Sequence, residues 1–494
     1  MNGAGGNVSD RVNRAGRIAI GAAGALLAGL TLARVAECWP RDSHLEHVAG
    51  VWVAAAVDFS QGIFYRAPYG PGGFGGSRYF PFFFTVHGLL IRIFGDWRWT
   101  GYALSAASVA LLLVGVYCLC RRLRAGAWLA MGAAATVLAG TSVQDALLTI
   151  REDATAAALN VWGLALCAEE NPSAGRLAGA AALFTLAFAT KETTIFGAAA
   201  VCLWLAFNGR WQSALRLAAF TAAGYVVVMA VIGFASGGRA IEAFRLTAVS
   251  GFDLRALASS PVTMMGEMEG YTAEIVMLAL GLAALLAAGL PGRRRMGTLL
   301  FVCTLGVTLA IFSTDGAAGN HVMDLLVAAV VLAAEWSASA GAQEFATCAA
   351  AGVCLVAWLA LMAGHAAVDM APVRTQMQEV VREIGPTDKP IIAENPLVAI
   401  EAGQRPYLAD PFAFRVMMDG DPDLGDDMWQ KMSEHGFAAV VFLHDPRAAE
   451  WRDFYTGTHF GEDFLEHLQE NYRLAGTPGG EYLYLPKGEA ETGR

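Results

Sequence analysis

Charge is what this chain has least of. Charged side chains make up 16% of its 494 residues and hydrophobic ones 55%, and a water-soluble fold of this length could not hide so much apolar surface. A soluble enzyme is thereby excluded, and a net charge of −10 leaves nucleic acid out of the expected partners. Cysteine offers little. Of the eight, Cys118, Cys120, Cys167, Cys202, Cys303, Cys348 and Cys354 fall in or at the ends of apolar segments as small hydrophobes, and only Cys38 lies near an expected outer surface. Their spacing gives neither a disulfide framework nor a metal motif. Positive charge is short at one end only: residues 366–494 hold 11 Lys+Arg against 23 Asp+Glu, a net of −12, so the rest carries +2. That division describes a slightly basic membrane body with an acidic, water-soluble tail.

What the chain has instead is apolar length. Segments able to cross a bilayer fall at 17–36, 101–120, 127–140, 154–168, 177–189, 194–207, 217–234, 274–290, 298–313, 322–335 and 346–362, about eleven spans at roughly 20 residues each, some shorter. Arg11, Arg14 and Arg17 before the first imitate a signal peptide, but Arg34 spoils a small-residue cleavage site, so the segment reads as an uncleaved span. Basic loops at Arg121, Arg122 and Arg124, at Arg176, at Arg210 and Arg216, and at Arg293 to Arg295 share the side of the N-terminus, which makes that side cytoplasmic. Alternation places Asp42, Asp153, Lys191, His321 and the tail outside.

The first outer loop, 38–100, is long. It holds a helical stretch near 48–59, a Gly-rich run at 69–78, and an apolar segment at 80–94 that reads as an interfacial helix, because a span there would push Arg121 outside. Past Met362 the pattern changes: a helix at 374–383, buried strands at 390–393 and 438–443, and a hairpin at 472–485 turning on Pro478-Gly479-Gly480 predict a small α/β unit. The expected division is 1–365 for the membrane body and 366–494 for this unit.

The ionisable residues facing outward carry the chemistry. Asp42, His44, Glu46 and His47 crowd the exit of the first span; continued as a helix, the stretch would put Asp42 and Glu46 on one face. Carboxylates there suit a general base toward an acceptor hydroxyl or amine, and Asp42, Glu46 and His44 are candidate ligands for a divalent cation, Mg2+ or Mn2+, the one cofactor considered. Arg78, Arg151, Lys191 and His321 suit the phosphate of a donor, offsetting charge on a departing oxygen. Asp153 stands beside Arg151 at the fourth span. The glycines from 70 to 76 give a loop able to approach a ligand or to move as a lid.

These motifs, namely the acidic stretch after the first span, Arg78-Tyr-Phe-Pro81, Arg151-Glu-Asp-Ala154 and Thr190-Lys-Glu-Thr193, resemble the GT-C class of polyprenyl-phosphate-sugar-dependent glycosyltransferases, of the protein mannosyltransferase and aminoarabinose transferase type (glycosyltransferase family 39). The resemblance implies a polytopic α-helical membrane protein with a GT-C-like body and an extracytoplasmic α/β tail, in a bacterial inner membrane. It implies a lipid-linked sugar donor and a lipid, glycan or protein acceptor outside. It makes Asp42 the catalytic acidic residue, Asp153 the second acidic position and Lys191 the basic residue near the donor phosphate. Relatives pair adjacent acidic residues where this chain has Ser43 and His44, so Glu46 competes with Asp42. A lipid or polyol transporter or flippase is the alternative class, marked by internal repeats or broken spans with mid-membrane charges.

Overall fold

The computed structural model describes residues 5–169, 171–247, 254–292, 295–314, 317–365 and 376–488. Arg293 and Arg294 of the last basic loop, and the junction at 366, lie outside them.

The membrane body is helical throughout. It comprises α1 (Gly5–Cys38), α2 (His47–Ser60), α3 (Pro81–Phe94), α4 (Trp97–Arg122), α5 (Ala127–Leu138), α6 (Thr141–Leu148), α7 (Asp153–Cys167), α8 (Ala174–Thr190), α9 (Ile195–Phe207), α10 (Trp211–Ala235), α11 (Arg239–Leu246), α12 (Leu254–Glu267), α13 (Thr272–Gly292), α14 (Met296–Ile311), α15 (Met323–Ala340) and α16 (Gln343–His365). Each of the eleven apolar segments falls on one of these helices. Five helices among the described residues are long and apolar enough to cross a membrane alone, and the shorter apolar ones pack among them. Small residues let backbones approach: a Cβ on Gly163 of α7 would stand 2.7 Å from the Phe184 ring of α8. Helices α6, α11 and α12 were not foreseen.

In the first outer loop, α2 and α3 are the two expected short helices. Helix α3 buries Phe83, Phe84 and His87 and leaves Leu89, Ile93 and Phe94 outward, as an interfacial helix should. It stops at Gly95 in the left-handed conformation (φ 77°), and Asp96 at once caps α4, its Oδ1 accepting from the backbone N–H of Arg98 at 2.8 Å and Trp99 at 2.9 Å.

From Gln376 onward the chain forms α17 (Gln376–Ile384), β1 (Ile391–Ala393), α18 (Leu397–Glu401), α19 (Pro411–Gly420), α20 (Asp426–Ser433), β2 (Ala439–Phe442), α21 (Ala449–Gly457), α22 (Glu462–Asn471), β3 (Tyr472–Gly476) and β4 (Tyr482–Pro486). The sheet order is β1-β2-β4-β3, with β1 parallel to β2 and the other pairs antiparallel. The predicted strands and hairpin are all present.

Two apolar cores tie this sheet region to the loop 38–100. One runs from Trp52, Phe83 and Phe84 through Tyr102 to Val380, Ile391, Val441 and Leu483. The other joins Phe74 of the Gly-rich run to Tyr407, Phe414 and Phe437. The run is therefore docked. The Phe74 N–H donates to the Tyr407 carbonyl at 2.7 Å and the Ala409 N–H to the Phe74 carbonyl at 2.9 Å, a parallel bridge between Phe74 and Leu408. Gly73 (φ 99°) lies so close to the Tyr407 carbonyl that no Cβ would fit.

Candidate active site

The acidic stretch does not continue as a helix. A 3-10 turn at Trp39–Arg41 is closed by Asp42 in the left-handed conformation (φ 53°), and α2 begins only at His47, with Glu46 extended at its N-cap. Asp42 and Glu46 therefore point into different surroundings.

Asp42 is buried inward. Its Oδ2 pairs with Arg98 Nε at 2.7 Å and its Oδ1 accepts from the Tyr102 hydroxyl at 3.2 Å, while Trp39 stacks on the Tyr102 ring at 4.8 Å. Arg98 also pairs with Glu401 of the sheet region at 3.0 Å. Burial pushes the Asp42 carboxyl up to about 6 although the Arg98 guanidinium pulls the other way. Glu46 is exposed at the first turn of α2, within electrostatic reach of Arg151. His44 faces Arg34.

The second cluster is built on helix ends. Asp153 opens α7, where the helix field favours a carboxylate, and Lys191 closes α8, where it favours a cation. They meet at 2.6 Å, Lys191 Nζ to Asp153 Oδ1; Asn320 Nδ2 donates to the same oxygen at 2.9 Å and Arg151 Nε pairs with Oδ2 at 3.3 Å. Both carboxylate oxygens are thus occupied by cations or an amide donor, and Asp153 is 4% exposed. Next to it, Glu152 Oε2 is buried with no hydrogen-bond partner, and burial together with the Asp153 charge pushes that carboxyl up.

His321, in the 3-10 turn that leads into α15, faces Lys191, Asp153, Arg151 and Arg78. Arg78 lies over the Phe412 ring, guanidinium carbon 3.9 Å from the centroid, and makes no ion pair within 4 Å among the described residues. The structure thus brings Glu46, Arg78, Arg151, Asp153, Lys191 and His321 to one place and sets Asp42 and His44 apart. For a divalent cation the fit is poor: the Asp42 carboxylate is committed to Arg98 and Tyr102, and no group of three or more His, Cys, Asp or Glu side chains among the described residues is arranged to hold a metal.

Sequence reading missed Asp324, in the first turn of α15, which faces Lys191 and Asp153. An acidic residue inside an expected span was the available signal. It placed His47 in the crowded stretch but gave it no partner: the imidazole faces Arg151 and Arg78 on one side and His459 of the sheet region on the other.

Residues 80–235 match the family model described as dolichyl-phosphate-mannose-protein mannosyltransferase. The structure superposes on ArnT from Cupriavidus metallidurans in the apo state with a TM-score of 0.59 at 12% identity, covering 92% of this chain and 97% of ArnT. The chain has the GT-C fold. ArnT bound to undecaprenyl phosphate gives 0.58 at 12% identity, over 94% of this chain and 98% of the other. An oligosaccharyltransferase from Archaeoglobus fulgidus, crystallised with Zn and sulfate, gives 0.56 at 11% identity over 95% and 73%. No curated protein sequence matches significantly. The family match and the fold likeness both point toward membrane glycosyltransferases as what the chain is similar to.

Proposed function

We propose that this protein transfers a sugar from a polyprenyl-phosphate donor to an acceptor on the outer face of a bacterial inner membrane, with Glu46 as the base. The division into a membrane body and an outer α/β domain belongs to the same reading, as does a cytoplasmic N-terminus. The observation that carries it is the pairing of an open carboxylate, Glu46, with a half-buried guanidinium, Arg78, that has no ion pair among the described residues, around a fixed Arg151–Asp153–Lys191 cluster.

The chemistry follows from what each group is free to do. A base must reach the acceptor and accept its proton; Glu46 is exposed, whereas Asp42 and Asp153 are sealed behind ion pairs. As the acceptor oxygen or nitrogen bonds to the anomeric carbon, the bond from that carbon to the phosphate oxygen breaks, the acceptor proton passes to Glu46, and polyprenyl phosphate leaves with inverted configuration at the sugar. Arg78 offsets the charge developing on the phosphate. Asp153 orders Arg151 and Lys191 at the same place, and His321 faces both. That undecaprenyl phosphate binds ArnT and dolichol-phosphate binds the archaeal oligosaccharyltransferase AglB supports a lipid-phosphate ligand.

The test is transfer by purified protein in detergent from a panel of radiolabelled polyprenyl-phosphate sugars into cell-envelope extract, with Glu46→Gln beside it. Transfer lost in the variant supports the reading. Full transfer in Glu46→Gln removes Glu46 as the base.

A further inference from the structure

The sheet region does more than cover the site. Two of its side chains sit directly behind residues that line it. The Phe412 ring, itself 7% exposed, lies under the Arg78 guanidinium at 3.9 Å, and Asp410, two residues before, faces Arg78 and Tyr79 while its Oδ1 caps α19 by accepting from the Ala413 N–H at 3.1 Å. Phe412 and Asp410 flank the β-type bridge that binds the Gly-rich run to 407–409, so the platform and its cation are held by the same joint.

The second contact is more buried. Glu394 accepts from the Tyr455 hydroxyl at 2.6 Å, from the Leu443 N–H at 2.8 Å and from His459 Nδ1 at 3.1 Å. Burial alone would raise this carboxyl, but the hydrogen bonds from His459 and Tyr455 outweigh it and hold it below the usual value. A carboxylate held by three donors fixes the orientation of the His459 ring through Nδ1. The His459 ring, 2% exposed, meets His47 edge to face with centroids 4.7 Å apart. One residue further, Asn395 Nδ2 donates to the Leu45 carbonyl at 2.7 Å, which pins the approach to Glu46.

We infer that the sheet region supplies two positioning residues to the donor-phosphate site, Phe412 beneath Arg78 and His459 against His47, so that the site is complete only when this region is docked. This rests on the lipid-phosphate reading above. A guanidinium that must meet a phosphate gains from being held over a ring, because its rotamers are already restricted before the ligand arrives.

Binding of undecaprenyl phosphate to the full-length protein in nanodiscs tests it without requiring turnover. Phe412→Leu should weaken binding about three- to tenfold, and Phe412→Tyr, which keeps the ring face, should restore it, with thermal melting little changed in either. His459→Phe and His47→Ala should each weaken binding, and the double variant should be no weaker than the worse single one. Wild-type affinity in Phe412→Leu, or equal loss in Phe412→Tyr, overturns the role of Phe412. Losses that multiply in the His47/His459 double variant overturn the role of His459. Neither outcome touches the transferase reading. A folded wild-type protein that binds no polyprenyl phosphate overturns that reading and this one together.

Discussion

Asp42 and Glu46 are four residues apart and are surrounded in opposite ways. Asp42 is sealed under Trp39, paired with Arg98 and hydrogen-bonded by Tyr102; Glu46 stands open at a helix N-terminus near Arg151. The difference separates support from chemistry. A carboxylate already neutralised by a guanidinium has little left to offer an incoming acceptor, while one that is solvated and open stays reachable. Asp153 belongs with Asp42 in this sense, although it sits where the chemistry is expected.

The comparison can be broken most sharply at Glu46. Glu46→Gln should lower transfer about 10²- to 10⁴-fold, the range for a positioned general base, with melting unchanged; a loss under threefold would return the role to Asp42. Next in size, Asp153→Asn leaves Lys191 and Arg151 buried without their counter-charge, and should cost about 3–5 kcal/mol of stability, read as a large drop in melting temperature with rescue by added lipid phosphate.

Glu481 extends the sealed side to a carboxylate with no cation. It is 5% exposed, its Oε2 lacks a hydrogen-bond partner, and burial, with Glu394 nearby, pushes it up to about 8. Because its pKa is raised in the folded state, its contribution is most favourable below about 4.5 and is lost as pH rises toward 8. Glu481→Gln should therefore stabilise the protein by roughly 1–3 kcal/mol near pH 8.5 and leave it unchanged near pH 4.5, as measured by thermal melting at the two pH values. The smallest effect belongs to Asp42→Asn. Relief from burying the charge outweighs the lost ion pair, in the sense of the raised carboxyl pKa, so stability at pH 7 should rise by about 1 kcal/mol. The fall in stability between roughly pH 4 and 6 that Asp42 causes should flatten, and transfer should persist.

Much of the architecture was legible in the sequence because lipid enforces it. Apolar length located the helices, and alternation with a Pro-Gly-Gly turn located the hairpin. The site was legible as a set of residues, less so as a geometry. Spacing put Asp42 and Glu46 on a common face only if the helix ran on, and the left-handed turn at Asp42 breaks it. Phe412, Glu394 and His459 left no trace, since their partners Arg78 and His47 lie more than 300 residues earlier. The Gly-rich run read as a loop able to approach a ligand or to move as a lid, yet at Gly73 the missing side chain serves close approach to the Tyr407 backbone.

That docking joins the beginning of the chain to its end. Arg98 waits for Glu401, Asp58 for Arg405, Phe74 for Leu408 and Arg78 for Phe412. During synthesis the loop 38–100 is made early, but every one of these partners follows roughly 300 residues or more later. The candidate site is therefore completed by a stretch of polypeptide made long after its first elements, and a chain interrupted before that point would carry its helices and its acidic motif without the partners that hold them.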